Sequence, residues 1–345
     1  MGAFTSVPFA AMTPSRTAAA LFALVFLLTA CGSKDEGKGS AAGEQPAASA
    51  DFPSPKGKSL LEIKQGLGPG PVLAPTVSIV GTGADRYGFG LFDRARKQIS
   101  QAQVALYVER SGSRNVSGPF IARDLPLEVK PAFQSETVAK DPDAAKSLYV
   151  ADLRVKKPGD YAVLGVAKLD GRLVATDPIY LGVGKRSSVP AVGQPAPRIS
   201  TPTLKSVGGD VSKIDTRTPP DSMHDVNFAD VVGKKPIILV FATPALCQSR
   251  VCGPVVDIAE EVKSEHKGGA AFIHMEIYND NTIAQGCLEG TRLVNQCLRP
   301  QVLAYHLPSE PWAFAIDKRG KIVARLEGAF SKGELESALK LAETR

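Results

Sequence analysis

The stretch from Lys235 to Pro254 constrains the fold most. Ile237-Ile-Leu-Val-Phe241 is a continuous apolar run, the pattern of a strand buried on both faces. Ala242-Thr-Pro-Ala-Leu-Cys247-Gln-Ser-Arg-Val-Cys252-Gly-Pro254 follows at once, and Val255–Val262 then places apolar residues at helical spacing. Two cysteines five residues apart at a helix entry limit the geometry. On one regular helix their Cα atoms would stand roughly 8–9 Å apart, given the ~1.5 Å rise per residue. A disulfide tolerates no more than about 6.8 Å. Either Cys247 lies in the loop before the helix, or the first turn unwinds when the bond forms.

Downstream, Ala270–Ile277 reads as an apolar strand and Asn279–Arg299 as an insert. Pro311-Trp-Ala-Phe-Ala-Ile316 leads through Asp317-Lys-Arg-Gly320 into a strand at Lys321–Leu326, and Lys332–Ala342 is a final helix carrying Leu335, Ala338, Leu339 and Leu341. This order, with the entry Val192-Gly-Gln-Pro-Ala-Pro197, resembles the redoxin branch of the thioredoxin superfamily over residues 190–345. The resemblance implies an α/β thioredoxin-like domain, a thiol–disulfide couple at Cys247 and Cys252, and a cis proline at Pro311 facing them. The family's redox motif has two residues between its thiols; here four intervene, with Arg250 near the usual place of the second cysteine.

Two branches of that superfamily offer precedents. The Cys-x4-Cys spacing resembles peroxiredoxins that unfold locally to join their thiols, and Thr243-Pro244 resembles their upstream threonine, displaced by one residue. A copper-chaperone branch pairs two cysteines with a later histidine, for which His274 and His306 are candidates; neither has a carboxylate or cysteine at ligand spacing. The spacing therefore predicts no metal site, no cofactor, no nucleotide loop and no hydrolase triad. Gly81-Thr-Gly83 is followed by Arg86 where a phosphate loop needs its third glycine, so it reads as a turn.

For Cys247 and Cys252 two readings stand. A thiolate at a helix N-terminus beside Arg250 would have a lowered pKa and serve in exchange. Alternatively the pair is a structural disulfide. Cys287 and Cys297 bracket nine residues of the insert, and a structural bridge between them is the expectation. Closing so short a loop is worth roughly 2–3 kcal/mol on the chain-entropy model. Glu276 is a candidate buried acid near the cysteines, Trp312 a core residue, and His224, in the polar stretch Thr216–Asp225, a surface residue.

The N-terminus bears on the compartment. Thr17–Ala30 is an apolar run of about fourteen residues, shorter than the ~20 that span a bilayer. It ends Leu28-Thr-Ala-Cys31-Gly32, which resembles the lipobox of bacterial lipoprotein precursors. That resemblance implies a signal peptide over 1–31, lipidation of Cys31 and an extracytoplasmic, membrane-anchored location, where the other four cysteines meet oxidising conditions. Residues 32–71, rich in Gly, Ser, Ala, Pro and charge, read as a disordered tether.

Residues 72–185 carry short β-rich runs divided by turn signals: Thr76–Val80, Tyr87–Phe92, Ala102–Val108, Leu148–Val155, Tyr161–Val166 and Ile179–Val183. An all-β, immunoglobulin-like sandwich is the expectation. Tyr161, just after Pro158-Gly-Asp160, is placed to bond back to the preceding corner, as in that fold. The net charge of +6 is too diffuse for a nucleic-acid partner. The functions expected are thiol–disulfide exchange on exported proteins, or a non-catalytic envelope scaffold that binds a partner, with thiol peroxidase third.

Overall fold

Ser59 starts the first helix. Its hydroxyl accepts from the Glu62 N–H at 3.3 Å, and the Glu62 carboxylate accepts from the Ser59 N–H at 2.7 Å. This reciprocal cap opens α1 (Leu60–Gln65), which buries Leu60 and Ile63 with Phe52 against Ala105, Tyr107 and Leu164. The computed structural model describes residues 47–345 except 248, 282–287, 290, 291 and 294. The expected tether therefore needs correction: its second half is folded, because Phe52, Leu60 and Ile63 supply the apolar area that a tether lacks. The expected signal peptide and Cys31 lie outside the described residues.

Nine strands follow: β1 (Gly68–Pro69), β2 (Val72–Pro75), β3 (Gly83–Phe92), β4 (Gln103–Arg110), β5 (Val116–Pro126), then α2 (Glu136–Lys140), β6 (Ser147–Val155), β7 (Gly159–Leu169), β8 (Arg172–Ala175) and β9 (Ile179–Val183). They form one sheet in the order β1-β8-β7-β4-β5-β6-β3-β2, with β9 also paired to β7. All pairings are antiparallel except β1–β8. The all-β expectation for this region agrees with the sheet. The immunoglobulin-like arrangement of two facing sheets is not confirmed, since the strand pairing is continuous. Strand β4 shows why both faces are apolar: Val104, Leu106 and Val108 enter one core, while Ala105 and Tyr107 meet α1 on the other. The Tyr161 hydroxyl donates to the Lys157 carbonyl at 2.8 Å, the back-bond that its position suggested.

The remaining elements are α3 (Phe228–Val231), β10 (Ile237–Phe241), α4 (Cys252–Glu265), β11 (Ala271–Met275), β12 (Leu288–Glu289), β13 (Arg292–Leu293), α5 (Pro300–Ala304), β14 (Trp312–Ile316), β15 (Ile322–Glu327) and α6 (Lys332–Thr344). Four of the strands make a second sheet ordered β11-β10-β14-β15. β11 runs parallel to β10, and β14 and β15 alternate antiparallel. These are the order and directions that a thioredoxin-like domain implies. Every residue of β10 is buried. Ile238 and Val240 face α4 and α6; Ile237, Leu239 and Phe241 face Tyr305, Trp312 and Phe314. Trp312 is a core residue, stacked on Phe314 with centroids 5.9 Å apart.

The two sheets belong to one compact unit, Pro46–Arg345. Leu148 and Val150 of β6 join Val251, Cys252 and Val255 in a single core. Arg86 of β3 reaches Glu334 at 2.6 Å and the Ala329 carbonyl at 2.7 Å. Glu327 accepts from the backbone N–H groups of Ser78 at 2.7 Å and Ile79 at 3.1 Å. Among the described residues no helix is long and apolar enough to cross a membrane.

Candidate functional site

Cys247 and Cys252 are joined by a disulfide, with Cα atoms 6.0 Å apart. Of the two geometries that the spacing allows, the first holds: Cys252 is the first residue of α4, and Cys247 lies in the loop before it. The Arg250 N–H reaches the Cys247 carbonyl at 3.4 Å, and Arg250 itself takes a left-handed conformation (φ 57°) before the helix begins. The two sulfurs differ in access. Cys252 is fully buried, whereas Cys247 is half-buried at the edge of the same core.

The β-sheet region supplies the wall around Cys252. The loop between β5 and β6 lies across α4, where the Ser135 N–H donates to Asp257 at 2.9 Å and the Lys130 N–H to Glu261 at 3.0 Å. Arg217 adds a bond to Asp257 at 2.8 Å, both side chains being buried. Val138 of α2 sits on Gly253: a Cβ there would stand 2.7 Å from Val138 Cγ2. Only a residue without a side chain admits this contact. Arg250 pairs with Asp143 and, at 3.5 Å, with Asp141 of the same loop. Its expected role beside a thiolate is therefore corrected: two carboxylates engage its charge, and the guanidinium serves as a link between the regions.

Glu310-Pro311 is the second half of the site. The peptide between them is cis, and Pro311 immediately precedes β14, the strand beside β10. Glu310 Oε2 lies 3.6 Å from Cys252 Sγ, and its Oε1 accepts from the Tyr278 hydroxyl at 3.0 Å. Burial pushes the Glu310 carboxyl up to about 8, overcoming the Tyr278 bond that favours ionisation. A carboxyl so raised is mostly protonated at neutral pH, and its Oε2 is the oxygen beside the buried sulfur. Glu276 is buried, as expected of a candidate acid. One oxygen accepts from the Thr216 N–H at 2.7 Å, and burial raises its carboxyl as well. Thr243 is buried, and its hydroxyl makes no hydrogen bond to either cysteine of the kind a peroxidase threonine would make.

Cys297 is disulfide-bonded. Cys287, its expected partner, lies outside the described residues. His306 is exposed, whereas His274 is buried on β11. Two expectations about histidines need correction. His224 is only 3% exposed, not a surface residue. His274 does have carboxylate neighbours: Asp221 Oδ2 at 2.7 Å and Asp215 Oδ1 at 4.0 Å. The polar stretch 215–225 folds inward onto β11, a pairing over more than fifty residues that local spacing does not reveal.

Sequence reasoning did not select Glu310 or Tyr278. An acid directly before the expected cis proline was the available signal for Glu310. Tyr278 had none, since its role depends on where the insert begins.

No protein-family model matches the chain, and no curated protein matches it. Among solved structures, a thiol:disulfide interchange protein of the thioredoxin family from Chlorobium tepidum TLS is similar over 44% of this chain and 97% of its own, with 18% identity and a TM-score of 0.28.

Proposed function

We propose that this chain is a thiol–disulfide oxidoreductase that acts on exported proteins from a lipid anchor at Cys31, on the extracytoplasmic face of the membrane. The observation that carries the redox reading is the asymmetry of one disulfide. Cys247 is half-buried, its partner Cys252 is fully buried, and a carboxyl of raised pKa stands 3.6 Å from the buried sulfur. The anchor and the location rest on the lipobox-like Leu28-Thr-Ala-Cys31.

The steps follow from that asymmetry. In the oxidising direction a substrate thiolate attacks Cys247 Sγ, and the Cys247–Cys252 bond breaks. Cys252 leaves with the electron pair and takes the proton of Glu310. A second substrate thiolate then attacks the mixed disulfide, leaving the substrate oxidised and the Cys247–Cys252 pair reduced. In reverse, Glu310 as carboxylate accepts the Cys252 proton while Cys252 resolves the mixed disulfide on Cys247. Burial that raises the Glu310 carboxyl to about 8 brings it toward the range in which thiols titrate, which favours proton transfer between the two groups. Pro311 and the start of β14 offer a backbone edge to an extended substrate segment.

Trapping tests this reading. Cys252→Ser should accumulate a mixed disulfide when the Cys247 thiolate attacks a disulfide of an unfolded substrate protein and releases one substrate thiol, and Cys247→Ser should not. Equal trapping by both variants, or by neither, would contradict it in favour of the scaffold reading.

A further inference from the structure

Asp215, Asp221, His224 and His274 are all buried, and one ligating atom of each lies within 4.8 Å of the others. They stand apart from the disulfide: Asp215 follows a 3-10 turn, Asp221 and His224 precede α3, and His274 is on β11. Two buried carboxylates need compensating positive charge.

The hydrogen bonds restrict its form. His274 Nε2 donates to the Ala242 carbonyl at 3.1 Å, which leaves Nδ1 facing Asp221 Oδ2 at 2.7 Å and Asp215 Oδ1 at 4.0 Å. At 2.7 Å that Nδ1 donates to Asp221 when the ring is protonated; a cation that displaces this proton would meet the Nδ1 lone pair beside the carboxylate oxygens. A ring nitrogen bonded to a backbone carbonyl, with the other turned to a cluster of acids, is the arrangement by which proteins orient a metal-binding histidine. The carboxylates are steadied in the same manner. Asp215 accepts from the N–H groups of Arg217 at 2.7 Å and Asp221 at 2.8 Å, and Asp221 accepts from the Met223 N–H at 2.7 Å.

His224 supplies an independent observation. It is only 3% exposed, and its ring nitrogens bond to no group outside the cluster. Its Nε2 points between Asp215 Oδ2 at 3.3 Å and Asp221 Oδ1 at 3.5 Å. Tetrahedral bonds of about 2.0–2.2 Å place ligand atoms roughly 3.3–3.6 Å apart. The two His224 contacts agree; His274 faces the other oxygen of each carboxylate, at 2.7 Å and 4.0 Å, so the two carboxylates would turn on binding.

We infer that Asp215, Asp221, His224 and His274 form a closed, four-coordinate structural site for a divalent transition cation of the zinc class. Two carboxylates and two neutral imidazoles balance a dication, and nitrogen with oxygen ligands suits it. The inference does not depend on the thiol chemistry proposed above.

The test uses the full chain with its cysteines oxidised, stripped by a chelator and then given Zn2+ or Co2+ alone. One equivalent of Zn2+ should survive gel filtration and raise the melting temperature. Co2+ should show a tetrahedral visible spectrum without a thiolate charge-transfer band. His224→Gln should weaken binding by more than about 100-fold. If that variant fails to fold, the wild-type stoichiometry and cobalt spectrum decide alone. The inference is overturned if the wild-type chain retains no metal and melts at the same temperature with or without Zn2+, in which case protons hold the cluster. It is equally overturned by a thiolate band or by undiminished binding in His224→Gln, either of which puts the metal elsewhere.

Discussion

Replacing Glu310 with glutamine tests the coupling of the buried sulfur to a proton. The folded carboxyl titrates near 8 against an ordinary 4.5 because burial disfavours its charge. Between those values the folded chain holds a proton that the unfolded chain releases, so wild-type stability falls as pH rises from about 4.5 to about 8. At pH 7 the undiscounted cost is about 3.4 kcal/mol, from 2.5 units at about 1.36 kcal/mol each. Glu310 is only partly buried by surface area, and solvent screening brings this to about 2 kcal/mol. Glutamine keeps the shape and can still accept from Tyr278, but it does not ionise. Urea melts of the oxidised proteins should give equal stability near pH 4 and a Glu310→Gln variant about 2 kcal/mol more stable at pH 7. The rate of disulfide reduction by a small dithiol, taken as wild type over variant so that the reagent's own titration cancels, should be high below pH 8 and decline through it. Parallel stability curves and a flat ratio of rates would refute the assignment of the raised pKa and of the proton donor together.

Other perturbations read the framework around the site. Asp257→Ala leaves the buried Arg217 guanidinium uncompensated and should cost about 3–5 kcal/mol in urea melts; a loss under 1 kcal/mol would show the pair to be solvated. Gly328→Ala forces a side chain into φ 69°, with its Cβ 1.9 Å from the Thr76 carbonyl oxygen, and should cost about 2–5 kcal/mol, read by thermal or urea unfolding. Because Cys252 is sealed and Cys247 is half-buried, an alkylating reagent should modify Cys247 at least tenfold faster in the reduced protein, as peptide mass mapping would show.

The sequence exposed those parts of the fold that local patterning encodes. The run Ile237–Phe241 announced a strand buried on both faces because all five residues are apolar. The final helix was legible from Leu335, Ala338 and Leu339, all of which reach the core, although Leu341 remains 37% exposed and Ala342 takes its place. Strand β5 was hidden, since Gly118-Pro119 interrupts it; the structure sets these two residues where the β4–β5 register shifts. The cysteine pair could be placed at a helix entry, but its spacing could not choose between loop and unwound turn. In the structure Arg250 is left-handed and pairs with Asp141 and Asp143 of a distant loop, contacts that local spacing does not reveal. The Asp215–His274 cluster was the least legible. Asp215, Asp221 and His224 lie in a polar stretch, and their contacts with His274 on β11 cross some fifty residues of sequence.

The reduction potential of the Cys247–Cys252 pair, with a count of the thiols released, tests the central claim most directly. The account predicts two thiols released from this pair, at a potential well above the ~−300 mV bound of structural disulfides, and insulin-type reductase activity at the same potential. A pair that resists reduction until the protein unfolds, or one reduced without any exchange onto a substrate disulfide, would contradict it.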